Sequence, residues 1–171
     1  MADAPKDRAE SVDAPKDRAE SADAPKDFAE MLNAHRGGWN EAMGLRFVRA
    51  TEDEVVAEID IAAVHQQPYG IVHGGVHAGL IETLASTGAA LSAGARGQSV
   101  VGLENNTSFI RAVRAGKLRV TATPITRGRR TQVWQGTIID EQDRIVATGR
   151  VRLLCLDPGA EIAGETAAIK S

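Results

Sequence analysis

Glu82 is the only formally charged residue between Gly74 and Ala95, and it follows the triplet His73-Gly74-Gly75 by about two helical turns. Val76, Leu80, Leu84, Thr87 and Leu91 recur at helical spacing around it, which predicts a helix buried on most of its faces. A lone carboxylate in such surroundings costs several kcal/mol unless it is paired, hydrogen-bonded or protonated. The two glycines open the helix and leave backbone N–H groups free to hold a carbonyl oxygen or an anion. A carboxylate that attacks or acts as a base, with an N–H aimed at developing oxygen charge, is the minimum needed to attack an acyl group. The same residues also fit a structural Glu matched by an arginine, with glycines that only turn the chain.

Other residues near this pair carry weaker signals. Ser86 lies one turn beyond Glu82 on the same face, so its hydroxyl can reach the carboxylate or instead the carbonyl four residues back. His73 reads as an auxiliary hydrogen-bonding group and His77 as a structural one. His65, His73 and His77 together with Glu82 lack the spacing of a helical zinc motif, and no metal site is expected.

The elements that must position these residues follow from the pattern around them. Strands are predicted near 44–50 and over 54–61, where Val55, Ala57, Ile59 and Ile61 alternate. After the helix come four strand-like segments, roughly 99–110, 117–126, 131–140 and 144–156, with Ala115-Gly116, Arg127-Gly128 and Glu141–Asp143 as short hairpin connections between them. The expected class is α+β, one long helix lying on an antiparallel sheet. No G-x-G-x-x-G and no P-loop is present.

A hydrophobic content of 43% with 25% charged residues is that of an ordinary globular protein. Glu82 interrupts the only long apolar run, so no membrane span is expected. The charged N-terminus carries no signal-peptide core, Cys155 stands alone, and the cytoplasm is the expected compartment. A net charge of −3 hides ten Lys/Arg against three acidic residues between Arg111 and Arg152. That half could meet an anionic partner. Only Trp134 lies among these basic residues as a stacking platform, so nucleic acid is not expected and a phosphate-bearing small molecule fits as well.

Residues 2–31 are one decapeptide written three times, ADAPKDRAES, VDAPKDRAES and ADAPKDFAEM. Each copy has an Asp able to cap a helix with Pro two residues on. Phe28, Met31 and Leu32 give the third copy alone an apolar stripe. The expected division is a solvated extension over 1–22, a docking helix over 23–38, the main domain over 39–157 and a flexible tail over 158–171.

The segments QPYGIVHGGVHAGLIETLAS, VVGLENNTSFIRAVRAGKLRV and RGRRTQVWQGTIIDEQDRIVATGRVRL, in this order and spacing, resemble the hotdog-fold acyl-CoA thioesterases. The branch is the one that includes phenylacetate-pathway, 4-hydroxybenzoyl-CoA and 1,4-dihydroxy-2-naphthoyl-CoA thioesterases. The resemblance covers about Gly44 to Leu156 and implies a hotdog fold, an antiparallel sheet wrapped around one long central helix. It implies hydrolysis of an aryl or medium-chain acyl-CoA with no cofactor, CoA being part of the substrate. Carried onto this chain, it makes Glu82 the catalytic carboxylate and Gly74 the residue whose N–H polarises the thioester carbonyl. Gln67 then contacts the acyl end, His73 assists, and Ser86 helps to hold the nucleophile or water. Arg111, Arg129, Arg130 and Thr131 match positions that contact the nucleotide of CoA. The Gln66-Gln67 doublet leaves the glutamine open by one residue, and the N-terminal repeats have no counterpart in the family.

Gly74 and Glu82 are eight residues apart, about 12 Å along a helix. A nucleophile and a polarising N–H must both come within about 3–3.5 Å of one acyl group. Two antiparallel copies of the helix can meet that requirement and one cannot, so a homodimer is the expected active unit, paired further into a homotetramer. A hotdog dehydratase or hydratase, or a non-catalytic acyl-CoA-binding module, are the alternatives.

Overall fold

The computed structural model describes residues 25–166. Its centre is a six-stranded antiparallel sheet wrapped on the helix α3 (Gly74–Gly94). The strands are β1 (Arg46–Ala50), β2 (Val55–Asp60), β3 (Ser99–Phe109), β4 (Lys117–Arg127), β5 (Thr131–Ile139) and β6 (Ile145–Leu156), in the order β1-β2-β4-β5-β6-β3. Two short helices, α1 (Ala29–Ala34) and α2 (Gly38–Ala42), precede them, and a small hairpin of β7 (Glu161–Ile162) and β8 (Glu165–Thr166) follows within the segment expected to be a flexible tail.

The order corrects the expected run of hairpins. β3 pairs with β6 along its whole length, and β4 pairs with β2. The segment around Ala115-Gly116 is therefore a crossover between strands that are not neighbours. Seven residues separate Phe109 from Lys117, longer than the two to five residues of an ordinary hairpin loop. Alternation identifies a strand but carries no record of its partner. The β5–β6 turn does behave as read: Asp140 Oδ1 accepts from the N–H groups of Gln142 and Arg144, both at 3.0 Å.

On α3 the buried residues fall in pairs four apart: Val76 and His77, Leu80 and Ile81, Leu84 and Ala85, Gly88 and Ala89, Ser92 and Ala93. This is one stripe rather than burial on most faces, and Ala78, Glu82, Ser86, Ala90 and Leu91 remain half-buried. Small residues are spread round the whole helix, so its sequence reads as apolar everywhere although only one stripe meets the sheet. That stripe lies close. A Cβ on Gly88 would stand 2.4 Å from Trp134 Cη2, and one on Gly136 would stand 2.8 Å from Ile81 Cγ2. Trp134 is fully buried and donates to Gln132 Oε1 at 2.9 Å, while Gln132 Nε2 donates to the Ala89 carbonyl. It belongs to the core and offers no face for a base to stack on.

The third decapeptide docks through its polar residues as much as its stripe. Asp27 stands just ahead of α1, its Oδ1 accepting from both Ala29 N–H and Ala50 N–H. Asn33 bonds the N–H and carbonyl of Phe47, and Arg36 donates to the Leu45 carbonyl, so α1 covers the outer edge of β1. Phe28 and Leu32 pack on the core, but Met31 points away and is half exposed. The first two copies lie outside the described residues.

Gly88→Ala should destabilise the protein by about 1–3 kcal/mol, because Trp134 has no room to retreat. Guanidinium unfolding of the full-length chain measures this, and unchanged stability would show that helix and sheet can separate at no cost.

Candidate active site

Glu82 leaves the half-buried side of α3 toward β3. Ser86 Oγ donates to Oε1 and Asn105 Nδ2 donates to Oε2, each at 3.0 Å. Asn105 uses its other N–H on the Ala78 carbonyl at 3.1 Å, and its Oδ1 accepts from Thr107 Oγ1 at 2.7 Å. The carboxylate is thus fixed by two donors on two elements, and among the described residues no arginine pairs with it, which separates it from a structural ion pair. Below it, a Cβ on Gly102 would lie 2.7 Å from Oε1. Gly102 sits where the β3–β6 register shifts, and its missing side chain is the floor on which the carboxylate rests. Sequence reasoning passed over Asn105 and Gly102. Their signals were present, an Asn doublet and a lone Gly inside a strand pattern, the second a mark of a bulge or close approach. The carboxylate faces an open groove between α3 and β3, lined by Ala78, Thr107 and Phe109.

The other end of α3 is held from the loop before it. His73 is the N-cap, and its Nδ1 accepts from Gly75 N–H at 2.8 Å, which places the ring proton on Nε2. The Gly74 N–H, first of the helix, has no intrahelical acceptor. A Cβ on Gly74 would meet Phe109 Cζ at 2.8 Å, so a side chain there would push that ring aside. The loop is tied at several points: His73 N–H donates to the His65 carbonyl, and Val72 N–H to the Val113 carbonyl, both at 2.8 Å. His65 is a structural staple, with Nδ1 accepting from Ala62 N–H and Nε2 bonding the Met43 carbonyl.

The glutamine doublet separates cleanly. Gln66 Nε2 donates to the Arg114 carbonyl at 2.7 Å, which commits it to the loop. Gln67 instead lines a cavity with Gly74, His77, Phe109 and Arg111. His77 is buried there without a hydrogen bond to Nδ1, and burial holds its pKa below the usual histidine range.

Within one chain the candidate residues form two places rather than one. Glu82, Ser86 and Asn105 share the groove, while Gly74, Gln67 and Arg111 share the cavity, and Phe109 borders both. The arginines divide likewise. Arg111 is in the crossover beside the start of α3. Arg129 and Arg130 are exposed on the β4–β5 turn and Thr131 at the start of β5, held by Gln98 Nε2 on the Arg129 carbonyl and Cys155 N–H on the Arg130 carbonyl. Gln98 follows the end of α3, whose 21 residues separate the two groups by about 30 Å.

A sequence profile of the thioesterase superfamily matches residues 69–147. A Mycobacterium tuberculosis protein named as an esterase, Rv1847, is 42% identical over 121 residues, covering 70% of this chain and 86% of the relative. Its solved structure superposes with a TM-score of 0.69 at 41% identity, over 72% of this chain and 98% of that one. A solved thioesterase of Haemophilus influenzae superposes with a TM-score of 0.70 at 33% identity, over 75% of this chain and 90% of that one. The proofreading thioesterase EntH of Cronobacter turicensis is 38% identical over 111 residues, which cover 65% of this chain and 80% of EntH. Fold and comparisons together define a hotdog-fold thioester hydrolase. The chain belongs to the thioesterase superfamily.

Gly102→Ala tests the floor under the carboxylate. Because the clash is with the tip of the Glu82 side chain and not with backbone, stability should fall by no more than about 1–2 kcal/mol, while thioester hydrolysis falls at least about tenfold as the carboxylate is displaced. Wild-type turnover in a folded Gly102→Ala protein would dissociate the carboxylate's position from the reaction.

Proposed function

We propose that this protein hydrolyses an aryl or medium-chain acyl-CoA to free acid and CoA. The observation that carries this reading is the Glu82 carboxylate, fixed by Ser86 and Asn105 and left open to a groove. Glu82 attacks the thioester carbonyl or activates the water that does so, and a Gly74 N–H holds the carbonyl oxygen as charge develops on it. The thiolate leaves without a strong general acid, so the site needs neither a metal nor a cofactor, CoA being part of the substrate. Gln67 lies beside the acyl group, and His73 sets the orientation of the helix start.

The Gly74 that serves a given Glu82 belongs to a second copy of the chain. β3 is an open edge of the sheet, and its Leu103 and Phe109 are 50% and 61% exposed. A long edge with apolar residues is a template for another strand. Pairing two copies there in antiparallel fashion, with the helices crossing at Ala78, sets each Gly74 opposite the other copy's Glu82. The end of the other helix then lies twelve residues beyond that point, about 18 Å away. There Arg129, Arg130 and Thr131 of one copy, with Arg111 of the other near the thioester, supply charge for the phosphates of CoA. The outer sheet face around Gln135, Thr137 and Arg150 forms a broad groove on which a second dimer can seat, giving a tetramer. No described helix is long and apolar enough to cross a membrane, and we infer action in the cytoplasm.

Glu82→Gln should lower kcat by about 10²–10⁴-fold while binding of CoA is kept. Mixing that chain with a Gly74→Pro chain, each shown to fold and dimerise, should restore activity, because one site of the heterodimer pairs an intact Gly74 with an intact Glu82. Free thiol release after verified subunit exchange is the readout, and no recovery would assign both residues to one chain or remove one of them from the reaction. Arg130→Ala should raise KM for acyl-CoA and leave small thioesters without the nucleotide unaffected; an equal loss on both would remove the phosphate role.

A further inference from the structure

Among the described residues, His77 Nδ1 is the one sealed side-chain polar atom with no hydrogen-bond partner. The contrast with His65 is direct. Both rings are buried, 4% and 2% exposed, but His65 bonds through both nitrogens and His77 through neither. A buried N–H left unpaired costs about 1–3 kcal/mol, and stranded donors are rarer than stranded acceptors. The neutral ring that burial favours therefore carries its proton on Nε2 and leaves only a lone pair at Nδ1. Nε2–H bonds no described residue, and the ring lines the cavity beside Gly74 and Gln67. The His77 ring tilts against Phe109, 6.1 Å between centroids, a contact that uses neither nitrogen, whereas His65 is stapled to the backbone through both.

The cavity has a volume of about 170 Å³, and an apolar cavity of about 150 Å³ admits benzene. Ile71, Val72, Phe109 and Ala112 give it an apolar wall. His77 follows Gly74 by three residues, about 4.5 Å of helix rise, so a group attached to a carbonyl held at Gly74 reaches it within the length of one ring.

We propose that His77 determines acyl specificity, its Nε2–H donating to an oxygen carried on a single-ring aryl acyl group, so that an oxygen-bearing ring is selected over an unsubstituted ring. This rests on the reading that the thioester carbonyl lies at Gly74. A site holding an unpaired buried polar group discriminates strongly against the ligand that leaves it unpaired. The bare ring binds with Nε2–H stripped of water and nothing in its place.

The test measures binding apart from turnover. S-Phenacyl-CoA and its 2-, 3- and 4-hydroxyl ring derivatives, thioethers in which a methylene inserted between the carbonyl and the sulfur removes the scissile bond, are titrated calorimetrically into the full-length protein. At least one hydroxylated analogue should bind about tenfold or more tighter than the bare one, some 1.4 kcal/mol. His77→Leu should abolish that difference, tightening the bare analogue because the stranded N–H is gone and weakening the hydroxylated one, while His77→Gln, which keeps an N–H donor, should recover part of it. His77→Phe, which keeps a ring and lacks the N–H, replaces His77→Leu if the latter fails to fold. Equal binding of all four analogues to the wild type, or a loss at His77→Leu shared equally by all four, overturns the assignment. The corresponding benzoyl-CoA thioesters separate the two levels. Discrimination among the analogues without thiol release from any thioester would end the hydrolysis reading and leave His77 as the group that reads the ring.

Discussion

The close approach of α3 to the sheet is the contact on which everything else depends. Gly88 lets the helix down onto Trp134, and Gly136 lets the sheet up against Ile81. With no side chain between them, the two layers come near enough for Asn105 on β3 to reach a carboxylate and a backbone carbonyl on α3 together. A helix held further out would leave Glu82 bonded only to Ser86, on its own helix and free to turn with it. Packed interiors are stiff, and here that stiffness is transferred to one carboxylate through two hydrogen bonds from different elements.

The other end of the helix is governed by a different physics, the need to satisfy its free N–H groups. His73 takes the Gly75 N–H, and the Gly74 N–H is left over. The loop that delivers them is rigid because its polar groups are paired within it or with the crossover: Gln66 with Arg114, Val72 with Val113, and Arg114 Nη1 donating to the Tyr69 carbonyl. Phe109 closes over Gly74 and borders the groove of Glu82 as well, so one exposed aromatic at the end of the edge strand separates the start of α3 from the carboxylate within a chain. The half-buried side of α3 and the open edge of β3 meet at this ring. Both are surfaces that the described residues of one chain leave uncovered.

Much of this was legible beforehand. Each of the six long strands and the main helix lies within about two residues of its expected bounds, because alternation, glycine turns and the helical period are local signals. Glu82 stood out as the lone charge in an apolar helix, and Ser86 followed from the helical repeat. The partner of Glu82 on β3 was not legible, since Asn105 and Glu82 are 23 residues apart in the chain and nothing local ties them. Nor was the placing of β4 between β2 and β5. His77 and His65 were not separable for the same reason: type and position describe a structural histidine in both, and only the missing Nδ1 partner in three dimensions sets His77 apart.

The sequence by itself determined the periodic elements, the carboxylate and the glycines at the helix start, since each depends on residues a few positions apart. Spacing alone also put Gly74 and Glu82 too far apart along α3 to serve one acyl group from one chain, because helix rise is a property of the backbone. Tertiary structure decided which strands pair, which side of α3 stays uncovered, which of two adjacent glutamines faces the cavity and which buried histidine lacks a partner. Those outcomes depend on contacts between residues distant in sequence. They are settled only when packing and hydrogen bonding are satisfied across the whole domain at once.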